Sequence, residues 1–90
     1  MRYEWDEEKR QWTLQHRGID FETAASFVWG TALVVEDDIK SYGERRFVAS
    51  GLLGDRLHVM AFTVRGEVIR IISLRKANER ERKEYEKNID

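Results

Sequence analysis

Val59-Met60-Ala61-Phe62-Thr63-Val64-Arg65-Gly66-Glu67-Val68-Ile69-Arg70-Ile71-Ile72-Ser73-Leu74-Arg75-Lys76 decides how this chain is read. Two runs rich in β-branched and aliphatic residues flank Arg65-Gly66, a two-residue turn in which glycine supplies the positive φ of a tight hairpin. The second run is almost wholly aliphatic, which suits a strand covered on both faces near the centre of a sheet. Strict alternation puts Val68, Arg70, Ile72 and Leu74 on one face and Ile69, Ile71, Ser73 and Arg75 on the other. A guanidinium among core aliphatics must find a partner, a groove or an anion. Arg70 and Arg75 are therefore the first functional clue.

Upstream of the hairpin, Leu33 to Glu36 reads as a first strand, closed by Asp37 and Asp38, and Glu44 to Ser50 as a second. In the second, Arg45, Phe47 and Ala49 share one face, and Glu44, Arg46, Val48 and Ser50 the other. Gly51 to Asp55 has the glycines of a short turn. Short turns between consecutive strands give an antiparallel meander. Ahead of the strands, Asp6 caps a helix over residues 7–16, with Glu7 and Glu8 at its positive end, Trp12 and Leu14 turned inward and Gly18 as its stop. Asp20 caps a second helix whose Phe21, Ala24, Ala25 and Val28 fall at helical spacing before Gly30. After the sheet, Asn78 and Glu81 form a capping-box pattern, and opposite charges recur four residues apart. Only Tyr85 and Ile89 are apolar in that last helix, so it is expected to be mobile or held by a partner. The expected architecture is α+β in a single domain over residues 1–90: two N-terminal helices, a four-stranded antiparallel sheet and a C-terminal helix.

Ninety residues, 41% of them hydrophobic, allow one self-supporting core. The absence of cysteine excludes disulfides, thiolate metal sites and a thiol nucleophile. No apolar leader or membrane-length run is present, so a soluble cytoplasmic protein is expected. The net charge of −1 conceals an asymmetry. Residues 1–38 carry four Lys/Arg against nine Asp/Glu, residues 39–76 eight against three, and residues 77–90 four against five. A basic sheet follows an acidic leading segment. Such local positive charge attracts phosphate even on a neutral protein, although the two halves could equally pair with each other.

No phosphate-cradling glycine loop, zinc-protease helix motif, nucleophile elbow or calcium loop occurs. Glu36-Asp37-Asp38 offers oxygen ligands to a hard cation, but an acidic strand end is more often solvated, and neither metal nor cofactor is expected. What remains is Arg46, Arg56, Arg70, Arg75 and Lys76, with two histidines and Tyr85. Arginine grips phosphate bidentately, and RNA cleavage needs its dispersed negative charge stabilised as the 2′-hydroxyl attacks. His16, His58 or a lysine of lowered pKa could serve as acid or base. Each has a plainer alternative. An arginine-rich sheet can be an ion-pair network. His58, on a strand face with Met60, Phe62 and Val64, suits a hydrogen-bonded core or edge residue; His16 suits a helix end, and Tyr85 suits packing.

Several stretches carry a family resemblance. Glu4-Trp5-Asp6 with Lys9, Gly18-Ile19-Asp20-Phe21-Glu22 with Ala25, and Gly43-Glu44-Arg45-Arg46-Phe47 resemble the BrnT toxins of bacterial type II toxin–antitoxin systems. So do Arg65-Gly66, the run Arg70-Ile71-Ile72-Ser73-Leu74-Arg75-Lys76-Ala77, Glu79-Arg80-Glu81-Arg82 and Tyr85. The resemblance implies a RelE-like fold and a metal-independent endoribonuclease that inhibits translation. It also implies a BrnA-type ribbon-helix-helix antitoxin that covers the toxin, commonly as a heterotetramer, and alone contacts operator DNA. One departure is Thr13-Leu14-Gln15-His16-Arg17-Gly18, where the family usually reads Asn-x-x-Lys-His-Gly. His16 takes the usual lysine position. Arg46, Arg70 and Arg75 are thus expected to bind phosphate and stabilise the transition state, with Lys76 assisting and His16 as acid or base. Arg45, Arg56 and Tyr85 are expected substrate contacts. The alternative is a non-catalytic module that holds RNA or antitoxin, an inactivated toxin acting as corepressor.

Overall fold

The computed structural model describes residues 2–37 and 43–89. Strand β1 (Arg2–Trp5) precedes helix α1 (Glu7–Arg17) and two 3-10 segments, Phe21–Ser26 and Trp29–Thr31. Strands β2 (Leu33–Asp37), β3 (Arg46–Leu53), β4 (Arg56–Arg65) and β5 (Val68–Lys76) follow, then helix α2 (Glu79–Ile89). The strands form one sheet in the order β1-β5-β4-β3-β2, antiparallel throughout except that β1 runs parallel to β5.

This corrects the expected architecture twice. The sheet has five strands and is mixed, because the first four described residues pair alongside the last strand, with Glu4 opposite Arg70 and Trp5 opposite Ile71. Tyr3 and Trp5 alternate with Arg2 and Glu4 as a half-buried strand requires. Four residues are too few to declare themselves without their partner. The second helix is not an α-helix. Phe21, Ala24 and Phe27 are buried while Val28 is exposed, a spacing of three that belongs to a 3-10 turn. Asp20 still caps it, accepting from Glu22 N–H at 3.0 Å.

Helix α1 has the expected ends: Asp6 accepts from Glu8 N–H, and Gly18 closes it at φ 70°. Its inward residue is Thr13, however, whereas Trp12 and Leu14 are 50% and 42% exposed. Both hairpin loops place glycine first, Gly54-Asp55 and Gly66-Glu67, with φ of 67° and 63°. Positive φ at the first loop position alone fits a type II′ turn, so the second loop sits one residue later than Arg65-Gly66. Gly51, expected in the first turn, lies inside β3. A Cβ there would meet the Phe27 ring at 2.5 Å, so the strand needs glycine to admit that ring.

The sheet divides the molecule into two unequal sides. On one, Ile19, Phe21, Ala24 and Phe27 pack against Ala49, Met60, Phe62, Ile69, Ile71 and Leu74, with Tyr3, Trp5, Trp29 and Phe47 around them. Edge-on ring contacts run from Phe27 to Trp29 and on to Phe62, and Trp29 Nε1–H donates to the Tyr3 hydroxyl at 2.8 Å. Fully burying side chains such as Phe21, Met60, Ile71 and Leu74 contributes about 1.5–3 kcal/mol each. On the other side, α2 covers only one end, through Ala77 and Tyr85 against Leu57, Val59, Leu33, Val48 and Leu52.

The candidate active site

What α2 leaves uncovered is an arginine surface, and a bulge creates it. Ala61 pairs with Ser73 but Phe62 pairs with Ile71, so Ile72 has no register partner on β4. The extra residue reverses the alternation along β5. Ile69, Ile71 and Leu74 all reach the main core, and Arg70 and Arg75 come to the same open face, opposite Thr63 and Val59 respectively. Strict alternation separates these arginines; the bulge unites them. Arg46 shares that face, because it precedes Phe47, whose ring stacks on Phe62 in the core. Extending the pairing of Phe47 with Phe62 by one residue sets Arg46 beside Thr63. One row then crosses all five strands: Asp37, Arg46, Thr63, Arg70 and Glu4. Arg75 lies along β5 from this row, about 13 Å away by backbone rise, within converging reach of two guanidinium stems.

Carboxylates interleave with the cations. Arg70 Nη1 lies 3.4 Å from Glu4 Oε1, and Arg65 Nη1 lies 3.7 Å from the same oxygen. Arg65 also donates to Glu44 at 3.0 and 3.4 Å. The Arg65 guanidinium thereby holds the Glu44 carboxyl below the usual carboxylate range. Arg75 donates through Nη1 and Nη2 to both oxygens of Glu81 at 2.8 Å. Glu81 also accepts from Asn78 N–H at 2.9 Å, completing the capping box that starts α2. The Arg75 hydrogen bonds, with that backbone donor, bring the Glu81 carboxyl down to about 2. Beneath the row, Thr63 is buried and its hydroxyl has no hydrogen-bond partner among the described residues.

These pairs do not close the surface. The side chains of Arg75, Arg70 and Arg65 keep 40%, 32% and 51% of their exposure. The single wetted contact of Arg70 with Glu4 is worth about 0–1 kcal/mol. Arg75 and Arg65 hold their carboxylates bidentately, the same fork geometry in which a guanidinium holds phosphate.

The remaining predicted residues lie elsewhere. Lys76 pairs in register with His58 on the core side of the sheet, where both line an open cleft of about 430 Å³ with Asp20, Thr23 and Leu53. His58 is buried, with Nδ1 2.8 Å from the Arg56 carbonyl oxygen, and does share a face with Met60 and Phe62. Arg56 itself pairs with Leu53 beside the first hairpin loop, on that same core side. Arg45 donates to Glu36 at 2.7 and 2.9 Å and lies 5.4 Å over the Phe47 ring. His16, at the exposed end of α1, has Nδ1 2.9 Å from the Trp12 carbonyl oxygen and stacks on the Trp12 ring at 4.5 Å. Tyr85 is buried, its hydroxyl donating to the Thr31 carbonyl at 2.8 Å. Of the acidic residues weighed as ligands for a hard cation, Glu36 is paired with Arg45, and Asp38 lies outside the described residues.

Sequence reasoning missed Arg65, Glu4, Glu44 and Glu81. Arg65 follows Thr63 by two on β4, so its face was readable in the strand pattern. Glu4 required β1, and Glu81 had been assigned only to its helix cap.

A face of wetted arginines on a small sheet has the chemistry to hold a phosphodiester and stabilise charge developing on it. No helix among the described residues is long and apolar enough to cross a membrane. A family model described as ribonuclease toxin, BrnT, of type II toxin-antitoxin system matches residues 5–81, a span that includes Arg46, Arg65, Arg70 and Arg75. No curated protein matches the chain. The match covers most of the ninety residues, and the chain belongs to the BrnT family of ribonuclease toxins of type II toxin–antitoxin systems.

Proposed function

We propose that RNA lies across the open sheet face and is cut there without a metal, with Arg46, Arg70 and Arg75 holding the scissile phosphate and stabilising its pentacoordinate charge. The observation that supports this most directly is the bulge at Ile72, which sets Arg70 and Arg75 on one face although their spacing alone separates them. Arg65 joins them as a further phosphate contact. Residues 1–90 work as one BrnT-like toxin domain in the bacterial cytoplasm. Its antitoxin is a BrnA-type ribbon-helix-helix protein, two toxins assemble with two antitoxins, and operator DNA is met only through the antitoxin.

Incubating the purified chain with total RNA in excess chelator tests the site. Arg70→Ala and Arg75→Ala are each expected to slow cleavage by about 10²–10³-fold, the usual loss for one charge-stabilising donor. Undiminished cutting by both variants would remove the site. RNA retained by the wild type but never shortened would leave the face as a binding surface only, the reading that the internal Arg–Glu pairs favour.

A further inference from the structure

Cleavage of RNA without a metal needs a base for the 2′-hydroxyl, and the open face carries carboxylates but no histidine in its cross-strand row. We infer that Glu4, on the parallel edge strand, is that base; the inference rests on the open face being the site of cutting. The carboxylates there are not equivalent. Glu81 is held at both oxygens by Arg75 and by the Asn78 N–H, and its lowered pKa makes it a poor proton acceptor. Glu44 is held at both oxygens by Arg65. Asp37 stands at the far edge of the row, three strand spacings or about 14 Å from β5. Glu4 differs: both of its arginine contacts, at 3.4 and 3.7 Å, fall on Oε1. Oε2 accepts no hydrogen bond among the described residues, and the side chain is 42% exposed. A carboxylate oxygen that accepts no hydrogen bond thus sits one strand from Arg70, at the edge of the sheet.

That arrangement suits in-line transfer. Glu4 Oε2 takes the 2′-hydroxyl proton, and the 2′ oxygen bonds to phosphorus. The bond from phosphorus to the 5′ oxygen breaks with its electron pair on that oxygen, which takes a proton from water on the open face. The products are a 2′,3′-cyclic phosphate and a 5′-hydroxyl end. Arg70, already oriented by Glu4 Oε1, meets the phosphoryl oxygens as the charge grows.

Single-turnover cleavage of total RNA by the full chain, with product ends mapped and RNA retention measured by filter binding, tests the assignment. Glu4→Gln is expected to cut about 10²–10⁴-fold more slowly while retaining RNA within about threefold of wild type. Glu4→Asp is expected to restore part of the rate, since it returns an ionised oxygen. The pH profile separates a base from a residue that merely positions arginines. The charged groups facing Glu4 are Arg70 on the neighbouring strand β5, Arg65 on β4 beyond it and Arg2 on its own, with Glu44 paired to Arg65 and Arg46 further along the row. Protonation of the base gives the wild type a fall in rate on the acid side, and that limb is expected to vanish in Glu4→Gln. If Arg70→Ala and Arg75→Ala lose cutting while Glu4→Gln keeps it, or keeps the acid limb, Glu4 is not the base and the site stands. If the wild type leaves RNA intact, the site fails and this assignment with it.

Discussion

The two faces of the sheet come from the same five strands and do opposite things. One is covered by α1 and the 3-10 segments and filled by aromatic and aliphatic side chains, with Phe21, Met60, Ile71 and Leu74 the largest of those fully buried. The other is apolar only where α2 lies, through Tyr85 and Ala77, and is charged over the rest. The comparison teaches that the apolar core and the arginine cluster are assigned to different faces, and that the bulge at Ile72 sorts β5 between them. Each side chain of that strand belongs to the core or to the arginine surface according to its place before or after one unpaired residue.

The harshest way to break this division is to exchange the two residues that the bulge sorts, Leu74→Arg with Arg75→Leu. Deleting Ile72 would not do it, because Ser73, Leu74 and Arg75 would still face Ala61, Met60 and Val59. Losing a buried leucine costs about 2–5 kcal/mol and burying an unpaired guanidinium several more. The sum approaches the whole stability of a small domain, about 5–15 kcal/mol. The exchanged variant is expected to be unfolded by circular dichroism; a native spectrum and melting temperature would show that these positions are not divided between the faces.

A milder cut compares one residue from each side. Phe21→Ala removes a fully buried ring and is expected to cost about 3–5 kcal/mol in urea unfolding. Arg46→Ala, on the open face, is expected to change stability by less than about 1 kcal/mol while lowering RNA cleavage. Equal destabilisation by the two would erase the distinction.

The smallest effect sharpens the boundary where α2 meets the arginines. Glu81 has its ordinary pKa of 4.5 lowered to about 2 by Arg75, so the folded chain binds its proton less readily than the unfolded one. The pair therefore stabilises fully above about pH 4.5 and loses that contribution as pH falls towards 2. Solvent contact limits it to about 1 kcal/mol or less. Wild type should exceed Glu81→Gln in urea midpoint at pH 6, with the gap shrinking at pH 3. A gap that does not narrow would show the carboxylate to be unshifted.

Much of the local structure was legible. Asp6 and Gly18 bound α1, Asn78 and Glu81 form their box, and Arg46, Val48 and Ser50 share a face as alternation demands. The 3-10 segment was mistaken for an α-helix because Phe21 and Ala24 fit both periods, and only the burial of Phe27 instead of Val28 decides. Lys76 was grouped with the arginines by its charge and by the family resemblance; its side chain faces away from Arg75 across the sheet, as alternation requires. His16 was singled out for its chemistry, and the structure engages it with its own helix at Trp12.

By itself, then, the sequence determined the helix caps, the two glycine hairpins, the run of β-strands, the excess of positive charge on them and the BrnT family. These are set by neighbours a few residues apart, where backbone preference and short-range hydrogen bonds act. Only the tertiary structure decided that the first strand pairs with the last, that Ile72 is left over, and that Glu4, Arg65, Arg70 and Arg75 meet on one surface. Strand pairing and register join residues more than sixty positions apart, and the energy that selects them is the burial of a shared core, which no local pattern contains.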